Sequence, residues 1–235
     1  MSDPSDPAKP RFDEYAAEYD SALAQGISVS GESKDYFAQG RVEWLAGRLN
    51  ELGVRPLSIL DFGCGTGTNI ASLLKLKGVT SLLGVDVSAS SLEIARRETS
   101  DARATFSVLD QYRPDGSHDL VFTNGVFHHI PPAERADAID TIYRALRPGG
   151  LVAFCENNPW NPGTRYVMSR IPFDRDAITL SAREAQTLIR AGGFRVLRTD
   201  FLFIFPRQLA WLRKLEPRLS SLPLGAQYQV LCRKE

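Results

Sequence analysis

Residues Ile59 to Asn69, ILDFGCGTGTN, constrain this chain more than any other stretch. An apolar run from Leu57 to Phe62 stops at three alternating glycines, Gly63, Gly65 and Gly67. The segment beyond has apolar residues at helical spacing, Ile70, Leu73, Leu74 and Leu76. The pattern predicts a strand, a tight turn and a helix. Glycines suit such a turn because it takes backbone angles that other residues reach only at a cost, and because a missing Cβ lets a ligand lie against the main chain. A second apolar run, LLGVD, ends at Asp86, which is placed to accept hydrogen bonds from both hydroxyls of a ribose. A nucleotide-like ligand is therefore expected.

Two details separate the nucleotide cofactors. The spacing is G-x-G-x-G rather than G-x-G-x-x-G, and Asp61 stands two places before the first glycine. A carboxylate there would repel a pyrophosphate but would suit the ammonium of an amino-acid tail. The pattern resembles the first motif of class I S-adenosylmethionine-dependent methyltransferases, and three further matches follow in order. FSVLD (Phe106 to Asp110) looks like the strand whose terminal acid accepts from the adenine amino group, with the Gln111 backbone N–H offered to the ring. DLVFTNGVFHHIP (Asp119 to Pro131) looks like the fourth strand and the loop beneath the methionine end of the cofactor, and LRPGGLVAF (Leu146 to Phe154) like the turn and fifth strand. The resemblance spans Leu57 to Glu156. It implies a cofactor site of Asp61, Gly63, Cys64, Gly65, Thr66, Gly67, Asp86, Val87, Asp110, Gln111, Asn124 and Gly125.

The rest of the sequence bounds what such a domain can do. At 235 residues the chain suits one domain with insertions. Lys plus Arg equals Asp plus Glu at 28 each, so no overall field favours nucleic acid, and none is expected as a partner. Cys64, Cys155 and Cys232 are scattered, which predicts neither a disulfide framework nor a metal site. The opening MSDPSDPAKP lacks the charged start and apolar core of a signal peptide, and no apolar run approaches membrane-spanning length, so a soluble cytoplasmic enzyme is expected. Oligomeric state is not legible.

Periodicity predicts helices over Phe12 to Leu23 and Lys34 to Leu52, then alternating strands and helices: strands near 57–62, 81–86, 103–109, 118–123, 150–156, 194–204 and 226–233, helices near 68–77, 89–99, 133–146 and 181–191. Alternation argues for an α/β fold with a largely parallel sheet covered on both faces. The resemblance implies the Rossmann-like order 3-2-1-4-5-7-6 with strand 7 antiparallel. The domain is expected to run over 1–235, with the N-terminal helices (1–56) as a cap. Two segments, 157–180 and 205–225, exceed the usual connections and are candidate walls of a substrate pocket. A helix starting at Pro206 and running to Ser221 would be amphipathic and basic, so a membrane surface is an alternative partner to a pocket lid.

Methyl transfer from a sulfonium is an in-line displacement, so alignment alone is worth roughly 7 to 11 kcal/mol. A base helps when a hydroxyl must lose its proton. His128 and His129 follow the fourth strand, and an imidazole can accept a proton at neutral pH; the alternative is a loop pair without a chemical role. Glu156 could orient that imidazole or serve as a capping carboxylate. Tyr15 and Tyr19 share a face of the first helix, and FDEYAAEYD resembles the N-terminal helix of ubiquinone- and menaquinone-type methyltransferases, which implies a tyrosine closing over the cofactor. Arg41 could pair with the cofactor carboxylate. Trp160, Arg165 and Tyr166 read as a lid over substrate, or as a structural loop. The expectation is a small-molecule methyltransferase using S-adenosylmethionine without a metal, with a hydroxyl oxygen as acceptor and S-adenosylhomocysteine as product. Rivals are methylation of a lipid or lipid-linked sugar at a membrane surface and a non-catalytic cofactor-binding subunit.

Overall fold

The computed structural model describes residues 26–174 and 177–235. Tyr15, Tyr19 and the helix expected over Phe12 to Leu23 lie outside them. Seven strands form one sheet: β1 (Ser58–Phe62), β2 (Ser81–Asp86), β3 (Ala104–Val108), β4 (His118–Asn124), β5 (Leu146–Asn157), β6 (Phe194–Leu202) and β7 (Gln227–Lys234). Their order is β3-β2-β1-β4-β5-β7-β6, as expected. Strands β1 to β5 pair in parallel, and β7 runs antiparallel to both β5 and β6.

The helices are α1 (Lys34–Glu51), α2 (Ile70–Leu73), α3 (Ala89–Glu98), α4 (Arg135–Ala145), α5 (Pro162–Met168), α6 (Ala182–Ala191) and α7 (Glu216–Leu219). Serine side chains start three of them: Ser33 accepts from the Tyr36 N–H, Ser88 from Ser91, and Ser181 forms a reciprocal capping box with Glu184. The alternation of side chains along the strands splits the core in two. Ile59, Leu120 and Phe122 pack with Val42, Leu45 and Leu49 of α1, Ile70 and Leu73 of α2 and Leu92 of α3. Leu60, Val121 and Val152 pack on the other face with Ile139 and Ile142 of α4 and Ala185 and Ile189 of α6.

Three elements differ from expectation. The helix after the glycines shrinks to the four residues of α2, since Thr66 to Asn69 belong to the turn and Leu74 to Gly78 continue as further turns. β5 begins at Leu146 rather than 150, because the residues before the glycine pair already sit beside β4, with a register shift between His118 and Leu120. The expected helix from Pro206 to Ser221 is broken: a 3₁₀ segment, Arg207–Leu215, kinked at Leu209, gives way to α7. Pro217 explains the break, since proline is tolerated in a helix's first turn but not in its interior. Arg213 there turns inward, donating to the Phe205 carbonyl and pairing with Glu32 at 2.8 Å, so no continuous basic face forms. Among the described residues no helix is long and apolar enough to cross a membrane.

One buried carboxylate ties α1 to the sheet's edge strand. Asp200 of β6 accepts from Arg48 Nε at 2.8 Å, Trp44 Nε1 at 3.1 Å, Arg198 Nε at 2.9 Å and Ser220 Oγ at 3.0 Å. Burial works against its charge, but these donors hold its pKa below the usual 3.8. Removing one partner of such a buried set strands the others, at a cost of about 3 to 5 kcal/mol. Asp200→Ala is therefore expected to lower the melting temperature by roughly 6 to 20 °C at neutral pH. Because the folded pKa is depressed, this contribution is present above pH 3.8 and is lost as pH falls through the folded value, so melting curves of variant and parent should converge in acid.

Candidate functional site

The site grows from the point where the order of the sheet reverses. β1 pairs with β2 on one side and β4 on the other, so the chain leaves the two strands in opposite directions and opens a crevice at their carboxyl ends. The glycine turn lies there. Gly63 and Cys64 donate to the Val85 carbonyl at 2.8 and 3.0 Å, and φ is positive at Gly63, Gly65 and Gly67. Gly63 backs on Val126 and Gly67 on Ala95, whereas a Cβ built at Gly65 meets nothing within 4 Å. The missing side chain of Gly65 thus leaves open space over the turn.

Acids surround that space. Asp86 accepts from the Gly65 N–H at 2.7 Å and the Ser88 N–H at 2.9 Å, so it braces the glycine turn. Asp61 is buried, its Oδ2 takes no hydrogen bond, and burial together with Asp86 pushes its pKa up to about 8 against the pull of Arg41. Arg41 reaches in from α1, donating to Gln227 Oε1 at 2.9 Å and Asn69 Oδ1 at 3.2 Å. Burial pushes the Cys64 thiol well up, which suits a packing role against Gly84. The orphaned acid oxygen and the open cradle fit the ammonium and ribose portions of S-adenosylmethionine.

Two cavities flank the turn. One, of about 1020 Å³, is lined by Asp86, Val87, Ser88, Leu109, Asp110 and Tyr112 among others. The second, of about 580 Å³, lies under α1 and α5, with Tyr36, Phe37, Arg41, Val167, Met168, Phe203 and Phe205 in its walls. They share Gly63, Gly65, Thr66, Asn124, Gly125 and His129. Asp110 stands exposed on the 3₁₀ turn Leu109–Gln111 at the rim of the first; Gln111 is exposed and lines neither. Phe203 has φ 61, rare for an aromatic residue, and its ring packs edge-on against Phe37 at 4.9 Å. Gly40 permits this, since a Cβ there would stand 2.7 Å from the Phe203 ring.

On the wall of the second cavity the two histidines meet two carboxylates. Glu156, at the end of β5, accepts from the Phe127 N–H at 2.7 Å and lies 2.6 Å from His128 Nδ1. Asp174, from the 3₁₀ turn Pro172–Asp174, places Oδ1 3.5 Å from His128 Nε2 and 3.4 Å from His129 Nε2. Burial opposes the charge on His128, but Glu156 and Asp174 push its pKa up to about 10. Burial and the neighbouring His128 lower that of His129. These two carboxylates favour the charged form of His128, which works against the role of proton acceptor expected of it.

The structure brings Arg41, His128, His129 and Glu156 to the crevice but not the aromatic lid. Trp160, Arg165 and Tyr166 are exposed, and Tyr166 carries the Arg170 guanidinium 4.6 Å over its ring. Helical spacing is the reason: Thr164, Val167 and Met168 turn α5's other face to the cavity, which leaves Arg165 and Tyr166 outside. Sequence reasoning missed Asn69, Gln227, Phe203 and Asp174. The strand position of Gln227 was legible, whereas Phe203, expected within a strand over 194–204, lies just past the end of β6; the approach of both to α1 depends on tertiary packing.

Residues 59–150 match the family model described as "Methyltransferase domain". The chain is 29% identical to a trans-aconitate 2-methyltransferase from Azoarcus sp. over 152 residues, 65% of this chain and 58% of that protein. It is 33% identical to a tRNA N(3)-methylcytidine methyltransferase from Drosophila melanogaster over 112 residues, 43% of this chain and 34% of that one. The chain thus spans about half the length of the curated relatives it matches. A solved S-adenosylmethionine-dependent methyltransferase from Thermotoga maritima superposes with a TM-score of 0.65 at 18% identity, over 95% of this chain and 98% of the other, which shows the shared fold. Residues 59–150 thus match a methyltransferase domain, and the 3-2-1-4-5-7-6 sheet around them is the fold shared with the solved S-adenosylmethionine-dependent methyltransferase.

Proposed function

We propose that this protein transfers a methyl group from S-adenosylmethionine to a hydroxyl oxygen of a small molecule, leaving S-adenosylhomocysteine. The observation that carries the reading is the junction of the two cavities at Asn124, Gly125 and His129. A donor held over the glycine turn and an acceptor held under α1 and α5 would meet there. When bound, S-adenosylmethionine supplies an electrophilic methyl on a sulfonium.

The chain's own residues then divide the work. Asp61 meets the ammonium, Asp86 the ribose hydroxyls, and Asp110 with the Gln111 N–H the adenine; Thr66, Val87 and Asn124 close around them. Arg41 faces the methionine carboxylate from α1, with Tyr15 and Tyr19 proposed to close over that end. Segments 157–180 and 205–225 wall the acceptor cavity, and 1–56 caps it. His128 and His129 face the acceptor hydroxyl, and Glu156 fixes the His128 ring. As the oxygen–methyl bond forms, the sulfur–methyl pair returns to sulfur and the hydroxyl proton leaves to water. Holding the partners in line is the largest contribution asked of the fold.

Three variants test this. Asp86→Ala should weaken S-adenosylhomocysteine binding in calorimetric titration by about 1.5 to 3 kcal/mol, more than Asp110→Ala, because it removes a charged acceptor and the brace of the turn. Equal affinity in Asp86→Ala and parent would sink the placement. Gly65→Asn keeps a residue that tolerates a positive φ but fills the cradle, so the protein should melt near the parent's temperature and lose binding.

Asp61 provides a pH test. Its folded pKa near 8 lies above the ordinary 3.8, so folding takes up a proton between those values. The burial cost is absent below pH 3.8 and complete above pH 8. Asp61→Asn should therefore raise the melting temperature of the ligand-free protein by several degrees at pH 8 and leave it unchanged near pH 4. The same substitution should weaken S-adenosylhomocysteine binding about tenfold or more, through loss of the ammonium's partner. A variant that gains no stability at alkaline pH and binds as tightly as the parent would refute the role.

A further inference from the structure

We propose that His128, His129 and Asp174 form a binding site for one divalent transition metal ion of the zinc type, open toward the acceptor cavity, where it would hold the acceptor's oxygen. One ligand atom from each of the three lies within 4.8 Å of the other two, on buried or half-buried side chains. Asp174 Oδ1 stands 3.5 and 3.4 Å from the two imidazole nitrogens. Those distances exceed the 2.7–3.2 Å of ordinary N–H···O bonds. They match the separation of neighbouring ligand atoms around a tetrahedral zinc, about 3.3 Å for metal–ligand bonds of about 2.0–2.1 Å. An octahedral ion with bonds of the same length would draw neighbouring ligand atoms closer together, to about 3.0 Å.

The support around the ligands points the same way. Glu156 takes the Nδ1 side of His128 at 2.6 Å and is itself held by the Phe127 N–H at 2.7 Å. A carboxylate on the far nitrogen of a metal-binding imidazole fixes the ring and its tautomer, and leaves Nε2 to the ion. The Ile178 N–H donates to the His128 carbonyl at 2.9 Å, which pins Ile178 to the histidine loop. A cation at Nε2 would replace any proton held there. Two imidazoles and one carboxylate leave a fourth tetrahedral position, as in zinc sites that act on substrate rather than only hold a fold. All three ligand residues line the smaller cavity, so that position would face its interior. A hydroxyl bound there would ionise more readily, releasing its proton to water before the oxygen takes the methyl and the sulfur–methyl pair returns to sulfur. This role for the ion rests on the proposed function; its binding does not.

Untagged protein, stripped with chelator and titrated with zinc chloride, should take up one ion per chain, and cobalt should give the visible absorption of a tetrahedral complex. Asp174→Asn and His129→Gln should each lower zinc affinity at least a hundredfold, while Glu156→Gln should lower it about 10- to 100-fold. Asp174→Asn should melt cooperatively and keep the parent's S-adenosylhomocysteine affinity. Acetohydroxamate, an oxygen chelator, should bind the zinc-loaded protein and not the stripped one. No zinc uptake by folded parent protein, or undiminished uptake by the Asp174→Asn, His129→Gln double variant, overturns the site. Zinc uptake without acetohydroxamate binding overturns the open position. Failure of methyl transfer alongside zinc uptake would count against the proposed reaction and leave the metal site standing.

Discussion

Everything in this molecule depends on the parallel pairing of β1 with both β2 and β4. Parallel strands all end on the same side, and crossing chains must return over opposite faces, so a crevice opens where their directions divide. The glycine turn, Asp86 and the loop after β4 reach that crevice because each follows a strand that ends there. The antiparallel insertion of β7 between β5 and β6 serves the same edge. It brings Gln227 beside Asn157 and under Arg41, at the mouth of the crevice.

Charge is buried at this edge in two groups, each held from a different element. Asp61, Asp86 and Arg41 join β1, β2 and α1; His128, Glu156 and Asp174 join the loop after β4, the end of β5 and the 3₁₀ turn Pro172–Asp174. Buried charges cost stability unless paired. The first group retains an acid oxygen without a hydrogen bond, so it pairs fully only if a cation arrives. Stability is recovered away from the crevice, where Asp200 satisfies donors from four residues at once and fastens α1 to β6. That fastening also sets Arg41, seven residues earlier on α1, and the Phe37–Phe203 contact at the cavity wall.

The glycine turn and the acid at the end of β2 were legible in the sequence, and the walls of the smaller cavity were not. ILDFGCGTGTN and LLGVD carry their function in local geometry: a strand end, a turn needing positive φ, an acid at the next strand end. Strand order followed from the family likeness because alternation limits the topologies. Trp160, Arg165 and Tyr166 line neither cavity, because the sequence placed polar and aromatic groups on and before a short helix without saying which face would turn inward. The basic helix after Pro206 failed for a local reason that was in plain view, Pro217. Asp174 had no local signature; only the packing of its turn on the histidine loop brings it to the site.

This division has a physical basis. The family match ends at residue 150. The aromatic and aliphatic walls of the smaller cavity, Tyr36, Phe37, Val167, Met168, Phe203 and Phe205, all lie outside the matched span. A common donor needs one geometry, set by backbone turns and strand ends that tolerate little change. An acceptor in the smaller cavity, as proposed, would be recognised by the shape and polarity of side chains hung on α1, α5 and the end of β6, where the fold constrains only the helix face that packs inward. Asn124, Gly125 and His129 stand where the two regimes meet, inside the matched span and shared by both cavities. Differences in acceptor among chains of this fold are therefore expected to lie in those walls, and differences in chemistry in the groups that face His128 and His129.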